Sequence, residues 1–300
     1  MTTVTVKASQ TYDVKIGRGL LDTLGEEAAR AFQGRIVCIV SDSNVAPHYL
    51  SQATHSLERA GFTVLAFVFP AGEEHKNGHT YLSLLEYLAQ EHLTRADGLV
   101  ALGGGVVGDL TGFAAATYLR GIPFLQLPTT LLAAVDASVG GKTAIDLEHG
   151  KNLAGAFYQP KAVLCDLDTW ATLPADILSD GCAEVIKYGM IGDVDLLDTL
   201  AQMVDYVLVD AAPVGVVIDA AEIAKSCDGT LIAVQYNDVR RQELLDVKQQ
   251  IEQSGCPILG TVLNQVDYDS YLSRKYYYRT YGKYGYYNRY YKHKHTAEKK

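Results

Sequence analysis

The 300 residues, 48% hydrophobic and 20% charged, have the composition of an ordinary globular protein and length for one large or two medium domains. No apolar run is long enough to span a bilayer, and the N-terminal residues lack a charged-then-apolar signal pattern, so a cytoplasmic protein without a transmembrane segment is expected. Five scattered cysteines (Cys38, Cys165, Cys182, Cys227, Cys256), odd in number and without a CxxC pair, exclude a disulfide or cysteine–metal framework and are expected to be reduced and mostly buried.

Thr3–Lys7 and Tyr12–Ile16 cluster β-formers and read as an opening hairpin, and Leu20–Phe32 has helical spacing. Arg35–Ser41 (RIVCIVS) is a short continuous apolar run, the mark of a strand buried on both faces. It ends at Asp42-Ser43-Asn44. Those side chains suit ribose hydroxyls, but the triplet is also an ordinary helix-capping sequence. A helix (Pro47–Ala60), a strand (Thr63–Phe69), a helix (Thr80–His92) and a strand (Gly98–Leu102) follow. This alternation predicts an α/β fold with a doubly wound, Rossmann-like parallel sheet and ligands outside the strands' carboxyl ends.

Those strand ends carry suggestive residues. Ala71-Gly72-Glu73-Glu74-His75-Lys76 offers Glu73 and Lys76 at a tight turn. Gly103-Gly104-Gly105-Val106-Val107-Gly108-Asp109 runs from a strand into a helix. Glycines there let the backbone approach a pyrophosphate, whose charge then sits at a positive helix N-terminus. Glycine also serves tight turns for geometry alone. Directly behind a buried strand, with Asp109 expected in the first helical turn, the cluster points to a dinucleotide.

A helix over Leu110–Tyr118 ends at Arg120-Gly121, and strand Phe124–Leu127 leads into QLPTTLLAAVDASVGGKTAIDLEHGKNLAGAFYQP, residues 126–160. This run contains Thr129, Thr130, Asp136 and two turns, Gly140-Gly141-Lys142-Thr143 and Gly150-Lys151-Asn152. Lysines beside glycines are typical of loops where backbone amides and ammonium groups meet a phosphate or carboxylate, although either turn alone could be an ordinary surface turn. Strand Ala162–Leu167 precedes Thr169-Trp170-Ala171-Thr172. A helix over Ser179–Gly189 then puts Glu184 and Lys187 on one face, where an i,i+3 salt bridge is the plain expectation.

Four long stretches, LVALGGGVVGDLTGFAAATYLRG, LPTTLLAAVDASVGGKTAID, GKNLAGAFYQP and AEVIKYG, resemble the 3-dehydroquinate synthase family in order and spacing, from about Asp13 to Gly192. The resemblance implies NAD against Gly72, Glu73, Lys76, Gly104, Gly105, Val106, Val107, Gly108, Asp109, Thr129 and Thr130. It puts Asp42 and Asn44 at the ribose, Lys142 and Lys151 within reach of the cofactor, and Thr169 and Thr172 over the nicotinamide half. Arg120, Asp136, Lys142, Lys151, Asn152 and Lys187 match positions that hold a sugar-acid phosphate substrate. Lys142, Asn152, Lys187 and Glu184 match the catalytic set, and Glu184 one of three ligands to zinc or cobalt. Family chemistry oxidises a secondary alcohol with NAD, eliminates phosphate, reduces the ketone again and closes a carbocycle, with the divalent metal as Lewis acid. Lysines and Arg120 would neutralise phosphate and carboxylate.

The resemblance breaks at the metal. The family takes two histidines from a helical second domain, one in a Gly-His-Thr-x-Gly-His-like segment. The histidines here are His48, His55, His75, His79, His92, His149, His293 and His295, with none between His149 and His293. Glu184 alone does not make a zinc site, so the metal site is expected to be incomplete and activity impaired.

From about Leu196 the pattern changes. Asp205–Pro213 reads as a buried strand ending at Asp210. Helix Asp219–Cys227, strand Thr230–Gln235, helix Arg240–Ser254 and strand Pro257–Asn264 continue an α/β pattern. VDYVLVDAAPVGVVIDAAEIA and ILGTVLNQVD resemble the rear of a bacterial capsular-polysaccharide tyrosine autokinase of P-loop type, with Asp210 at its Walker B position. No GxxxxGK[ST] loop occurs to cradle a triphosphate.

The tail is basic, with nine Lys or Arg against one acid over Leu272–Lys300, while the remaining residues carry 17 basic and 34 acidic side chains. Eleven tyrosines lie between Tyr268 and Tyr291. Among them Tyr276, Tyr277, Tyr278, Tyr281, Tyr284, Tyr286, Tyr287, Tyr290 and Tyr291 are candidate phosphosites, in a segment expected to be disordered. The expected organisation is therefore an NAD-binding domain over residues 1–193, a kinase-like α/β segment without a Walker A loop over 194–267, and a tail over 268–300. Expected partners are the small substrate, a second copy in a homodimer, and a tyrosine kinase acting on the tail. A specific nucleic-acid partner is not expected, and a basic-aromatic tail could hold nucleic acid only nonspecifically. Alternatives are a kinase fragment, a phosphorylation-substrate tail, or a non-functional chimera.

Overall fold

The computed structural model describes residues 1–193, 195–196, 199, 202, 208–211, 219–236 and 238–265. The chain divides into two units, Met1–Met203 and Val204–Lys300.

The first unit is built on a seven-stranded sheet: β1 (Thr2–Lys7), β2 (Thr11–Gly17), β3 (Ile36–Asp42), β4 (Thr63–Phe69), β5 (Gly98–Gly103), β6 (Phe124–Pro128) and β9 (Ala162–Asp166), in the order β1-β2-β9-β6-β5-β3-β4. β1 pairs antiparallel with β2 through the short Ser9 turn; the other pairs are parallel. The chain steps from β3 out to β4, then back across β3 to β5. The order in which strands are added reverses between β3 and β5, and at such a switch point the loops at the strands' carboxyl ends part to leave a crevice.

Helices cover both faces. α1 (Leu24–Ala31) and α2 (Ala46–Arg59) lie on one, α3 (Gly78–Gln90) and α4 (Gly105–Thr117) on the other. Alternation along β3 shows why its sequence is apolar throughout. Val37 and Ile39 pack with Leu24 and Leu57 on one side, while Cys38 and Val40 pack with Leu84, Leu88 and Leu110 on the other. Each fully buried leucine contributes roughly 1.5–3 kcal/mol relative to exposure.

The predicted doubly wound sheet is present, and several local expectations change. Leu20–Phe32 is two pieces, a 3-10 turn over Leu20–Thr23 and then α1. α3 begins at Gly78, two residues before the predicted Thr80, with Asn77 Oδ1 accepting from Thr80 N at 3.0 Å. α4 begins at Gly105, so the glycines after Gly104 are helical. Gly150-Lys151-Asn152 is not a turn. It opens β8 (Gly150–Phe157), which pairs antiparallel with β7 (Lys142–Leu147). α5 spans Ala175–Gly192, longer at both ends than the predicted Ser179–Gly189.

The second unit contains α6 (Asp219–Ala224), β10 (Thr230–Gln235), α7 (Arg241–Ser254) and β11 (Ile258–Asn264). β10 and β11 are parallel and joined through α7, which ends at Gly255 in the left-handed conformation, φ 85°. Ala224, Ile251 and Cys256 form its small core. The buried strand expected at Asp205–Pro213 is not seen where it is described. Residues 208–211 are irregular, Leu208 is 88% exposed, and Asp210 is exposed. The tyrosine cluster from Tyr268 to Tyr291 and the disorder expected of it lie outside the described residues. Among the described residues no helix is long and apolar enough to cross a membrane.

Candidate functional site

The site begins where β5 and β6 end. Thr129 N donates to Gly103 O at 2.9 Å, holding the threonine pair beside the glycine turn. Gly104 is the N-cap of α4, and no side chain caps the helix. The first N–H groups of a helix lack intrahelical partners, so those of Gly105, Val106 and Val107 are left for an external acceptor. A Cβ on Gly104 would lie 3.4 Å from Thr130 Cγ2 and one on Gly105 3.5 Å from Ala137 Cβ, filling the hollow over that N-terminus. Thr129 Oγ1 is buried and has no hydrogen-bond partner among the described residues. An orphaned hydroxyl, free helical amides and a hollow kept open by glycine fit the pyrophosphate and ribose of a dinucleotide.

Two sequence expectations shift here. Asp109 lies beyond the first turn of α4, and Val107 points its side chain into the core, where it is fully buried. Thr130 Oγ1 accepts from Ala133 N at 3.2 Å, capping a π-helical turn over Ala133–Ala137 that carries Asp136.

Lys76 joins three elements. Its side chain is 5% exposed, and Nζ lies 3.2 Å from Asp109 Oδ2, 3.2 Å from Glu73 Oε1 and 3.8 Å from Asp146 Oδ1. Burial disfavours the ammonium, but Asp109 and Glu73 outweigh it and raise the Lys76 pKa above its ordinary value. Burial raises the Asp109 carboxyl, with Glu73 and Asp146 adding to the effect and Lys76 opposing it. Asp146 was not singled out from sequence. The available signal was its period-two spacing from Lys142 on one strand face.

The β7–β8 hairpin walls a cleft of about 480 Å³ whose lining includes Asp109, Asp136, Lys142 and Asn152. Gly140 and Gly141 lead into it with φ 96° and 70°. Gln159 Nε2 donates to Gly140 O at 3.1 Å and Tyr12 Oη accepts from Gly140 N at 3.3 Å, bracing the turn that delivers Lys142. Arg120, Lys151 and Lys187 do not line this cleft. Arg120 is exposed with φ 66°, and Lys151 is 71% exposed, 3.5 Å from Glu73.

Asp42 Oδ1 accepts from Asn44 N at 2.8 Å and Val45 N at 3.0 Å, closing the turn that leads into α2, whose N-cap is Val45 without a side-chain cap, and Asn44 is exposed. Gly72 has φ 125°, a conformation suited to glycine. Thr169 is buried and its hydroxyl donates to Asp166 O at 2.7 Å. Glu184 is ion-paired with Lys187 on α5, and that bond raises the Lys187 pKa. Among the described residues no three His, Cys, Asp or Glu side chains cluster to hold a metal. With its one assigned carboxylate already paired to an ammonium, this residue set does not fit a catalytic metal.

Residues 66–180 match the family model for the 3-dehydroquinate synthase N-terminal region. The chain is 49% identical over 215 residues to 3-dehydroquinate synthase of Neisseria meningitidis serogroup C (strain 053442), covering 71% of this chain and 60% of that protein. It is 44% identical over 243 residues to the 3-dehydroquinate synthase of Latilactobacillus sakei subsp. sakei (strain 23K), covering 80% and 68%. Among solved structures it is similar to 2-deoxy-scyllo-inosose synthase complexed with carbaglucose-6-phosphate, NAD+ and Co2+, at 30% identity and TM-score 0.60, covering 63% of this chain and 52% of that one. The chain thus spans about 60% of the length of the first of these relatives.

Proposed function

The chain belongs to the 3-dehydroquinate synthase family, and on that premise we propose that residues 1–193 bind NAD and hold a phosphorylated, carboxylated sugar acid beside it. The observation that carries the reading is the junction of β5 and β6, where Thr129 N bonds Gly103 O and the Thr129 hydroxyl is buried without a partner among the described residues. Gly105, Val106 and Val107 would offer backbone N–H groups to the pyrophosphate. Bound NAD would supply the hydride acceptor. Lys142, exposed at the mouth of the cleft, contributes a positive charge for phosphate or carboxylate, and Asn152 a neutral hydrogen-bonding group beside it. Asp109 and Asp136 supply carboxylates on the opposite wall, the first already neutralised in part by Lys76.

We infer that the chain binds more than it turns over. The resemblance asks for three metal ligands, and Glu184, paired with Lys187, is the one this sequence retains. Calorimetric titration with NAD tests the binding reading: micromolar to low-millimolar affinity is expected for the wild type and a loss of at least about fivefold for Thr129→Val. Absence of NAD binding by the wild type would sink it. Rapid phosphate release from the seven-carbon sugar-acid substrate, with NAD and zinc or cobalt added, would overturn the impairment.

A second reading applies to the rear unit. Its parallel β10–α7–β11 arrangement differs from the helical second domain that the resemblance implies, and favours descent from a P-loop-type kinase. Without a phosphate loop in the sequence, and with Asp210 exposed in an irregular segment, the role that remains is as a substrate whose tail tyrosines are phosphorylated by an intact kinase. Phosphotyrosine mapped by mass spectrometry after incubation with ATP, with and without such a kinase, separates substrate from enzyme.

A further inference from the structure

A hydroxyl outside the residues assigned so far reaches one of the turns assigned to the cofactor. Tyr49 lies in the first turn of α2, the helix that follows the turn closed by Asp42. Its Oη donates to Thr169 O at 2.9 Å and pairs with Thr172 Oγ1 at 2.5 Å. The 3-10 turn over Leu167–Thr172 is held from its other end by Asp166, which is buried and accepts from Gly19 N at 3.0 Å, Leu21 N at 2.8 Å and Asp168 N at 3.1 Å. Arg18 adds an ion pair to Asp168. The beginning of the turn is therefore fixed by a buried carboxylate. Its end, where Thr172 is exposed, is fixed by a half-buried tyrosine hydroxyl.

This asymmetry has a chemical consequence. Thr169 spends its hydroxyl on Asp166 O, and with Tyr49 donating to Thr169 O the single Thr172 hydroxyl proton goes to the short 2.5 Å contact with Tyr49 Oη, so Thr172 is oriented by the phenol. Tyr49 accordingly fixes the turn's position against α2 without adding to the turn's internal bonding. α2 starts directly after the Asp42-Ser43-Asn44 strand end. One phenol thus ties the Thr169–Thr172 turn to the helix that leaves the Asp42–Asn44 strand end, across a sequence separation of 120 residues.

We propose that Tyr49 is a positioning residue for the dinucleotide: its hydroxyl presets the Thr169–Thr172 turn relative to the Asp42 end of the crevice, so that NAD meets an ordered turn instead of ordering it on binding. The inference rests on the NAD reading given above.

The protein carries its own reporter, because Trp170, the single tryptophan of the chain, sits inside the turn. In Tyr49→Phe the ring and its packing remain and the hydroxyl is removed. The Trp170 emission of the free protein is expected to shift, and NAD affinity read by its quenching to fall about five- to tenfold, with the thermal midpoint within about 3 °C of wild type. Thr172→Val is expected to weaken NAD in the same direction, and the double variant to lose less than the product of the single losses, since both remove one shared contact. Wild-type NAD affinity in Tyr49→Phe overturns the proposal and leaves the NAD reading standing. A Tyr49→Phe protein without a cooperative unfolding transition also overturns it, in favour of a purely structural hydroxyl. If the wild type itself shows no NAD-dependent quenching or heat, both readings fall together.

Discussion

Lys76 Nζ donates to Asn152 Oδ1 at 2.7 Å, joining the turn after β4 to the first residues of β8. The bond sits within a polar knot: Asn152 N donates to Asp146 Oδ1 at 2.7 Å, and Asp146 N to Lys76 O at 2.7 Å. Asn152 takes φ 57°, a left-handed conformation that asparagine tolerates and that this bonding holds in place. The residue matched to the substrate is therefore oriented by a lysine matched to the cofactor.

Removing that lysine should be costly. Lys76→Met leaves Glu73, Asp109 and Asp146 facing one another around a buried position, and a loss of about 3 kcal/mol is expected from the uncompensated charge. Asp109→Asn should cost less, because burial already raises the Asp109 carboxyl and the ammonium keeps Glu73, Asp146 and Asn152. The Lys76 pKa is raised in the folded state, so its stabilisation is complete below about pH 10.5 and is lost as pH rises through the higher folded value. Urea midpoints of the three proteins at pH 8 and above pH 10.5 measure both claims. A milder loss in Lys76→Met than in Asp109→Asn would contradict the charge argument.

The paired glycines before Lys142 make a contrast. Gly141 has φ 70°, and a Cβ there would lie 2.6 Å from the Gln159 side chain, which is itself buried. Gly140 has φ 96° with nothing within 4 Å of such a Cβ. Alanine at Gly140 incurs backbone strain of about 1–2 kcal/mol, whereas alanine at Gly141 must also displace Gln159 and undo its bond to Gly140 O. Gly141→Ala is expected to be the more destabilising by chemical denaturation, and equal losses would show that Gln159 yields freely.

Much of this was legible in the chain because the deciding residues are close in sequence. The runs at Val37–Val40 and Leu99–Leu102 announce strands buried on both faces, and the glycines after Gly103 announce a close approach at a helix start. What escaped depends on pairing across the fold. Gly150, Lys151 and Asn152 have poor strand propensity, and they open β8 because β7 lies opposite, with Leu147 facing Gly150 and an irregular register before Ala154 that takes in left-handed Asn152. Lys76 is a candidate at a tight turn in the sequence, but its burial among Glu73, Asp109 and Asp146 depends on α4 and the hairpin enclosing it. Tyr49 carries no motif at all, and its hydroxyl matters only because a turn 120 residues later packs beside it.

The Glu184–Lys187 pair tests the metal argument from the other side. Both side chains are partly exposed on α5, so the pair should contribute at most about 1 kcal/mol, and Glu184→Gln should leave the unfolding midpoint nearly unchanged. Cobalt added to the metal-free protein is expected to give no intense visible bands of a tetrahedral site, and chelator treatment no loss of stability. A tetrahedral cobalt spectrum that disappears in Glu184→Gln would show that ligands from elsewhere in the chain complete the site.

The cysteines give a pH-dependent prediction. Burial in the core pushes the Cys38 thiol up to about 12 and the Cys165 thiol to about 11. In the unfolded chain both would ionise near 9, so between pH 9 and these higher values the unfolded state sheds protons that the folded state retains. Their stabilising contribution is thus whole below pH 9 and is lost as pH rises, by on the order of 1.4 kcal/mol per pH unit per thiol while folded and unfolded forms differ. At pH 8 the same burial keeps them unreactive. Iodoacetamide on the native protein is expected to label half-buried Cys182 first, with Cys38 and Cys165 modified only after urea is added. Peptide mapping after timed labelling decides it, and native labelling of Cys38 at the rate of Cys182 would mean that the β3 core opens far more readily than its packing indicates.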